Sequence, residues 1–280
     1  MKHNLLITGG SGFIGSRLAL HYQNQQPFLP THAELDLTSQ AAVDAYLDRY
    51  RPQAIIHTAA LSNTGYCQQH PDESLQVNVV GTENLARAAA HIGAKLVVFS
   101  SDQIYVGSTL PGPHREEEAV TPSNIYGQHK REAELRTLAL CPDAVCLRAS
   151  WMYDFPVQGT KTSLGLPGAL FQAMAGGRSF AMNPQEGRGV TWAGLLVQQM
   201  DKILQLPGGV YNAGAENPLS SLETGRAFAR LLGLPESVVS PADYPARDLS
   251  MDCTKLRQYG IDLGDTVGGL EACLKAYGLR

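Results

Sequence analysis

The stretch from Asn4 to Leu20 constrains the fold more than any other. Asn4-Leu5-Leu6-Ile7-Thr8 is a short apolar run that reads as a buried strand. Gly9-Gly10-Ser11-Gly12-Phe13-Ile14-Gly15 follows at once, and Ser16-Arg17-Leu18-Ala19-Leu20 is helical in pattern. Glycines at a strand-to-helix junction let the backbone turn tightly and come close to a pyrophosphate. The helix that follows offers unpaired amides and the positive end of its dipole to the phosphates. The spacing fits Gly10-x-Gly12-x-x-Gly15 and Gly9-x-x-Gly12-x-x-Gly15 equally. Both place a dinucleotide over the same turn, with Gly9, Gly12, Phe13, Ile14 and Gly15 as expected contacts. The strand–turn–helix order outweighs the plain alternative of a flexible N-terminal loop.

Beyond the turn, apolar strand candidates alternate with helical stretches. Ala54-Ile55-Ile56-His57, Leu96-Val97-Val98-Phe99-Ser100, Ala144-Val145-Cys146-Leu147-Arg148 and Gly209-Val210-Tyr211-Asn212 read as strands, and residues 41–50, 73–92 and 127–140 as helices. Continuous apolar strands between helices indicate an α/β fold with a doubly wound parallel sheet of the Rossmann kind. Ligands of such sheets sit beyond the carboxyl ends of the strands. The glycine turn, Thr58-Ala59-Ala60-Leu61, Ser100-Ser101-Asp102 and Ala149-Ser150-Trp151 all occupy such ends, so Ala59 and Ala60 join the expected cofactor contacts. Past residue 152 the texture changes. Residues 159–189 are rich in Gly, Pro and polar side chains, and helical patterns return at 195–206, 221–232 and 266–277. The expected organisation is a dinucleotide-binding domain over 1–152 with a returning segment at about 190–213. A smaller mixed C-terminal substrate domain, 153–189 and 214–280, then closes over the strand ends.

The second strand of a dinucleotide fold should end in an acidic group for a free ribose, or lie near a basic one for a 2′-phosphate. Here that region, Gln26-Pro27-Phe28-Leu29-Pro30-Thr31-His32, is short and broken by two prolines. Glu34 and Asp36 stand at the expected distance past the glycine turn, and Asp36 with Leu37 is the expected ribose-side contact. The same stretch reads as a strand end and helix cap, with Thr38 as N-cap.

Tyr126-Gly127-Gln128-His129-Lys130 puts a phenol and an ammonium on one helix face, one turn apart. A free tyrosine has a pKa near ~10, and a lysine cation held close favours the phenolate. Such a pair can exchange a proton with a carbinol or carbonyl oxygen. Alone, the spacing is commonplace on solvated helices; with the glycine turn and a strand-end serine upstream it points to acid–base chemistry.

Composition narrows the class further. A chain of 280 residues with 44% hydrophobic residues can bury a substantial core, and a net charge of -4 gives no reason to expect nucleic acid or an acidic membrane as partner. No apolar run is long enough to span a bilayer, and the N-terminus enters a strand directly, which predicts a cytoplasmic protein. Five scattered cysteines without a CxxC pair are expected to be reduced, and the histidines lack metal-ligand spacing, so no metal is expected. Glu116-Glu117-Glu118 reads as a solvated surface.

With these residues in place, nearly the whole chain resembles the extended short-chain dehydrogenase/reductases, most closely the dTDP-4-dehydrorhamnose reductase branch. The matching stretches are Thr8 to Gly15, Glu34 to Thr38, Ile56 to Ala60, Val77-Asn78-Val79-Val80-Gly81-Thr82, Ser100 to Val106, Tyr126 to Lys130, Arg148 to Tyr153 and Arg247 to Leu256. The resemblance implies two lobes, a nicotinamide cofactor (NADP or NAD) and a nucleotide-sugar substrate. It gives Tyr126 the part of catalytic acid. Lys130 then contacts the nicotinamide ribose and lowers the tyrosine pKa, and Ser101 hydrogen-bonds the substrate oxygen. Asp102, Gln103 and Trp151 fall on the sugar side. Arg188 is similar to an arginine that related epimerases place against a diphosphate, with Arg247 as a second anchor.

The implied reaction is reduction of a nucleotide-linked 4-keto-6-deoxy sugar, with hydride to C4. The alternatives are an epimerase that retains its NAD and a non-catalytic, NAD(P)-binding regulatory subunit like that of methionine adenosyltransferase. A homodimer pairing the helices near 73–92 and 126–140 is expected. Three departures stand out. Gln103 occupies the place of the Glu with which sugar-nucleotide 4,6-dehydratases eliminate water and of the Tyr usual in reductases. Arg188-Gly189-Val190-Thr191 replaces Gly-x-Pro-Thr, and the Asn-Phe pair that usually follows the tryptophan is missing.

Overall fold

A computed structural model describes residues 4–163 and 165–279; positions 1–3 and 280, at the limits of the expected domains, and Leu164 within the second lie outside the described residues. Five parallel strands form the central sheet: β1 (Leu5–Thr8), β2 (Ala54–His57), β3 (Lys95–Ser101), β4 (Val145–Ala149) and β5 (Gly209–Ala213), side by side in that order. Alternate residues face opposite sides. Leu5, Ile7, Ile56, Val97, Leu147 and Tyr211 meet α1 (Phe13–His21) and the helical segments Ala193–Gln198 and Met200–Ile203. Leu6, Ile55, Leu96, Val98 and Cys146 meet α2 (Gln40–Tyr50) and α3 (Gly81–Ile92). Cover on both faces is why these strands read as unbroken apolar runs.

Several local expectations are revised. The stretch around Phe28 contributes a single parallel bridge beside β1, Phe28 to Leu6, in place of a strand. Pro27 and Pro30 each lack the N–H that a longer ladder would need. Ser39, not Thr38, caps α2: its Oγ accepts from Ala42 N at 3.3 Å, while Thr38 donates its amide and hydroxyl to Asp36 Oδ1 at 2.9 and 2.7 Å. The helix expected over 73–92 passes through a π-helical turn at Gln76–Val80. The helix expected over 195–206 divides at Gln199. The acidic run is not simply solvated. Glu116 accepts Asn212 N at 2.8 Å, Glu118 pairs with the buried His114 at 2.7 Å, and only Glu117 points outward.

A separate apolar cluster lies past the sheet. Tyr153, Leu166, Leu170, Trp192, Phe228 and Leu270 pack between the helix Gly165–Ala175, α5 (Ser221–Leu231) and α6 (Thr266–Ala276); α4 (Ile125–Leu140) lies against β3 and α3. Ser220 and Glu223 close a capping box at the start of α5, which fixes where that helix begins. Short parallel ladders pair Trp151–Tyr153 with Val190–Trp192 and Glu186–Gly187 with Arg247–Asp248. These ladders bring Trp151, Arg188 and Arg247 to the carboxyl ends of the central strands. Among the described residues no helix is long and apolar enough to cross a membrane.

Candidate active site

The carboxyl ends of β1 to β4 open into a cleft of ≈ 730 Å³. The glycine turn forms one wall. Gly9 adopts φ +71°, and a Cβ there would meet Ala59 N at 2.6 Å. At Gly15 a Cβ would stand 2.1 Å from Gly9 O and 2.7 Å from Thr58 Oγ1. At Gly10 its tightest contact would be the movable Leu29 side chain, at 3.1 Å, with Ile7 O at an ordinary 3.7 Å. The turn's own packing thus demands glycine at 9 and 15, which selects the Gly9-x-x-Gly12-x-x-Gly15 reading. Gly12, Phe13 and Ile14 face the cleft at the start of α1. The backbone can therefore approach a pyrophosphate at a helix N-terminus, so the residues present fit a dinucleotide.

The opposite wall is built by β3 and α4. Asn124 caps α4, its Oδ1 accepting Gly127 N at 2.7 Å, and its amide donates to Gln103 Oε1 at 3.2 Å. Gly127 allows the close approach: a Cβ there would lie 2.3 Å from Gln103 O. The contact seats Tyr126 within hydrogen-bonding reach of the Ser101 hydroxyl. Lys130, one turn on, is buried and donates to Phe99 O at 2.8 Å, with its Nζ 5.7 Å from the Tyr126 ring centroid. Ser101, Tyr126 and Lys130 therefore do share one cleft.

The electrostatics differ from the expectation. Burial, and after it the Asp102 carboxylate, pushes the Tyr126 pKa above its ordinary value, although the neighbouring Ser101 hydroxyl opposes the shift. Lys130 is itself desolvated, which brings its pKa down to about 8 from 10.5 despite Glu134 nearby. Its ammonium serves the Phe99 carbonyl, and the phenol stays protonated at neutral pH. His57, buried beneath the cleft between Thr8 Oγ1 (2.7 Å) and Thr82 Oγ1 (3.0 Å), is pushed down to about 3 by burial and stands as a neutral strut.

Asp102, Gln103, Trp151, Arg188 and Arg247 also line this cleft, and so does Ala60. Ala59 packs behind, against Gly9. Asp36 and Leu37 lie away from the cleft lining. Leu37 is buried, its carbonyl accepting from Asn84 Nδ2 at 2.9 Å, and the Thr38 hydrogen bonds hold the Asp36 carboxyl below its ordinary pKa. Ser100 also lines the cleft, and its hydroxyl is buried without a hydrogen-bond partner among the described residues.

Two contributors escaped the sequence reading. Lys161, Thr162 and Ser163 line the cleft on a strap laid over α1. Buried Arg17 pins that strap through Asp154 (2.7 Å), Lys161 O (3.0 Å) and Phe155 O (3.2 Å). Arg17 inside the otherwise apolar helix start was the available signal; the strap itself has no periodic pattern to betray it.

The family model described as RmlD substrate binding domain matches residues 1–255. The chain belongs to that family. The resemblance to the dTDP-4-dehydrorhamnose reductase branch of the extended short-chain dehydrogenase/reductases thus holds, and the Rossmann-like parallel sheet agrees with it. Methionine adenosyltransferase 2 subunit beta of Xenopus tropicalis is 28% identical, covering 91% of this chain and 82% of the relative. A dTDP-4-dehydrorhamnose reductase of Aggregatibacter actinomycetemcomitans is also 28% identical, over 93% of this chain and 95% of the relative. Among solved folds, a dTDP-4-dehydrorhamnose reductase from Bacillus anthracis in complex with NADP superposes with a TM-score of 0.86 at 21% identity, covering 99% of each chain. RmlD-family membership and this shared fold account for the placement of the glycine turn and the Tyr126–Lys130 helix on one cleft.

Proposed function

We propose that this chain is an NAD(P)-dependent reductase of a nucleotide-linked 4-keto-6-deoxy sugar. The observation that carries the reading is a buried Tyr126 beside Ser101, in the same cleft as a glycine turn that tolerates no side chain at 9 or 15. Gly12, Phe13 and Ile14 would hold the cofactor's pyrophosphate, Asp36 its adenosine ribose and Lys130 the nicotinamide ribose. When bound, that group supplies the hydride. The chain's own part is to present the C4 carbonyl to Tyr126, which gives its phenolic proton to the oxygen as negative charge develops there. Ser101 orients the same oxygen. Reduction needs the acid in its protonated form, and the raised Tyr126 pKa supplies it. Gln103, an amide, cannot act as the acid or base of a dehydration. The sugar would sit against Asp102, Gln103, Trp151 and Arg188, and the nucleotide diphosphate beside Arg247.

The test is consumption of NADPH or NADH with a panel of dTDP-4-keto sugars. Turnover that stops in Tyr126→Phe while cofactor binding persists supports the reading; stoichiometric use of cofactor separates it from an epimerase, which leaves the pool unchanged. A second reading, a non-catalytic regulatory subunit, is favoured by the 28% identity to a methionine adenosyltransferase beta subunit over 91% of the chain. Tight association with a methionine adenosyltransferase catalytic subunit, and no turnover of any keto sugar, would establish it instead. We also propose the two-lobed division at about residue 152 with the 190–213 return, a cytoplasmic setting in keeping with five free, buried cysteines, and a homodimer through α3 and α4. The outer side of that helix pair carries Glu83, Arg87, Glu132 and Arg136 in mutual ion pairs, so the dimer contact would be polar. Sedimentation at single-chain mass at micromolar concentration would defeat the dimer.

A further inference from the structure

The cleft holds a charge arrangement that the reduction scheme does not use. Arg188 turns its guanidinium fork onto Asp102, with Nε donating to Oδ2 at 2.8 Å and Nη2 to Oδ1 at 3.1 Å. Its Nη1 lies 3.7 Å from Glu186 Oε1, and its central carbon lies 5.8 Å from the Trp151 ring centroid. Asp102 is 2% exposed, and the same Oδ1 accepts the Ser101 hydroxyl at 3.2 Å. Gln103 reaches Oδ1 more weakly, at 3.5 Å. Arg247 is placed differently. One arm donates to Glu186 Oε2 at 2.9 Å, and 45% of its side chain remains exposed at the cleft.

Guanidinium groups grip carboxylates and phosphates with the same planar pair of donors. A fork already closed on a buried carboxylate is committed, and opening it would leave that carboxylate unpaired in a desolvated place. The half-exposed arginine is the one with donors to offer an incoming anion. Asp102 in turn sits beside Ser101 and Tyr126, and its charge acts on the phenol. Fixing both oxygens of Asp102 fixes where the resting Ser101 proton points, and with it the orientation in which that hydroxyl meets the cleft.

We propose that Arg188, in place of the diphosphate role that the resemblance implies for it, is a positioning residue for the proton-transfer site, acting through Asp102 and Ser101; the diphosphate is left to Arg247, the other anchor the resemblance implies. The kinetic part rests on the reductase reading; the binding part does not. Four variants, Arg188→Met, Arg188→Lys, Arg247→Met and the double Asp102→Asn/Arg188→Met, are titrated with dTDP by calorimetry and with NADPH by fluorescence. They are then assayed with whichever 4-keto sugar the wild-type protein reduces.

Arg247→Met should weaken dTDP at least about tenfold, whereas Arg188→Met should leave dTDP and NADPH affinity within about twofold and lower kcat at least about tenfold. Arg188→Lys should keep more of kcat than the methionine variant. The double variant, which carries no unpaired carboxylate, should regain part of the loss. Loss of dTDP binding in Arg188→Met with kcat retained would make Arg188 the phosphate anchor and overturn the proposal, as would an unchanged kcat. Should Arg188→Met fail to fold, the double variant removes the charge pair together and its dTDP affinity decides. A wild-type protein that reduces no keto sugar sinks the reductase reading, yet the dTDP titrations still assign the roles of the two arginines.

Discussion

Replacing Gly15 by alanine tests the turn proposed to hold the cofactor. The new Cβ would stand 2.1 Å from Gly9 O, 2.7 Å from Thr58 Oγ1 and 2.8 Å from Gly9 C, where ordinary contact begins near 3.4 Å. The nearest atom belongs to the backbone, so no rotamer change relieves it; the turn or α1 must move by roughly 1 Å. Overpacking of this kind costs about 1–3 kcal/mol. Where the turn moves, the cost appears as lost NADPH affinity of roughly 5- to 150-fold; where it holds, as lost stability of the same size. Gly10→Ala is the control. Its Cβ would press only on the Leu29 side chain, at 3.1 Å, with Ile7 O at an ordinary 3.7 Å, and Gly10 has no positive φ. That variant should bind NADPH within about twofold of wild type and change stability by no more than about 0.5 kcal/mol. Fluorescence titration with NADPH and urea unfolding, run on both variants, read the two quantities. Strong loss in Gly10→Ala with little change in Gly15→Ala would refute the argument, and with it the choice of glycine frame.

Three further outcomes follow from the same structure. Asp154→Ala removes the partner of Arg17, both side chains being nearly fully buried, and also strands Trp192 Nε1 and Tyr277 OH, each 3.0 Å away; unfolding free energy should fall by about 3–5 kcal/mol in urea titration. Burial lowers the folded-state pKa of Lys130 to about 8 from 10.5, so between these values the unfolded chain binds more protons at this site. The stability of wild type relative to Lys130→Met should therefore rise with pH across that window, by up to about 3 kcal/mol, and a flat difference would count against a desolvated lysine. For turnover, kcat/KM should fall above pH 8 as Lys130 loses its charge, while Tyr126, shifted upward by burial and Asp102, imposes no loss there. A pH profile flat to pH 10 would contradict that assignment.

Much of the fold was open to inspection in the chain itself. The apolar runs at 4–8, 54–57, 96–100 and 144–148 became β1 to β4 because strands covered on both faces need no polar alternation. The glycine turn and the Tyr126–Lys130 spacing were equally plain, since each is a local pattern fixed by backbone geometry. The prolines at 27 and 30 marked a short and broken second strand, though they could not show that it would be reduced to a bridge at Phe28. Thr38 failed as a cap because Asp36 engages its hydroxyl first, a competition between neighbours that propensity does not rank.

The sequence alone picked out the residues proposed to carry the chemistry: a serine, a tyrosine and a lysine on the same chain as a glycine turn of dinucleotide-binding pattern. Only the tertiary structure decided how charge is distributed among them. A lysine beside a tyrosine in sequence implies an acidified phenol. In the folded chain Lys130 is turned to the Phe99 carbonyl, and burial with Asp102 moves the phenol the other way. Arg188 looked free to hold a phosphate until Asp102, 86 residues away, was found in its fork. Desolvation and long-range pairing depend on what surrounds a group in three dimensions, and nearest neighbours along the chain carry no record of either.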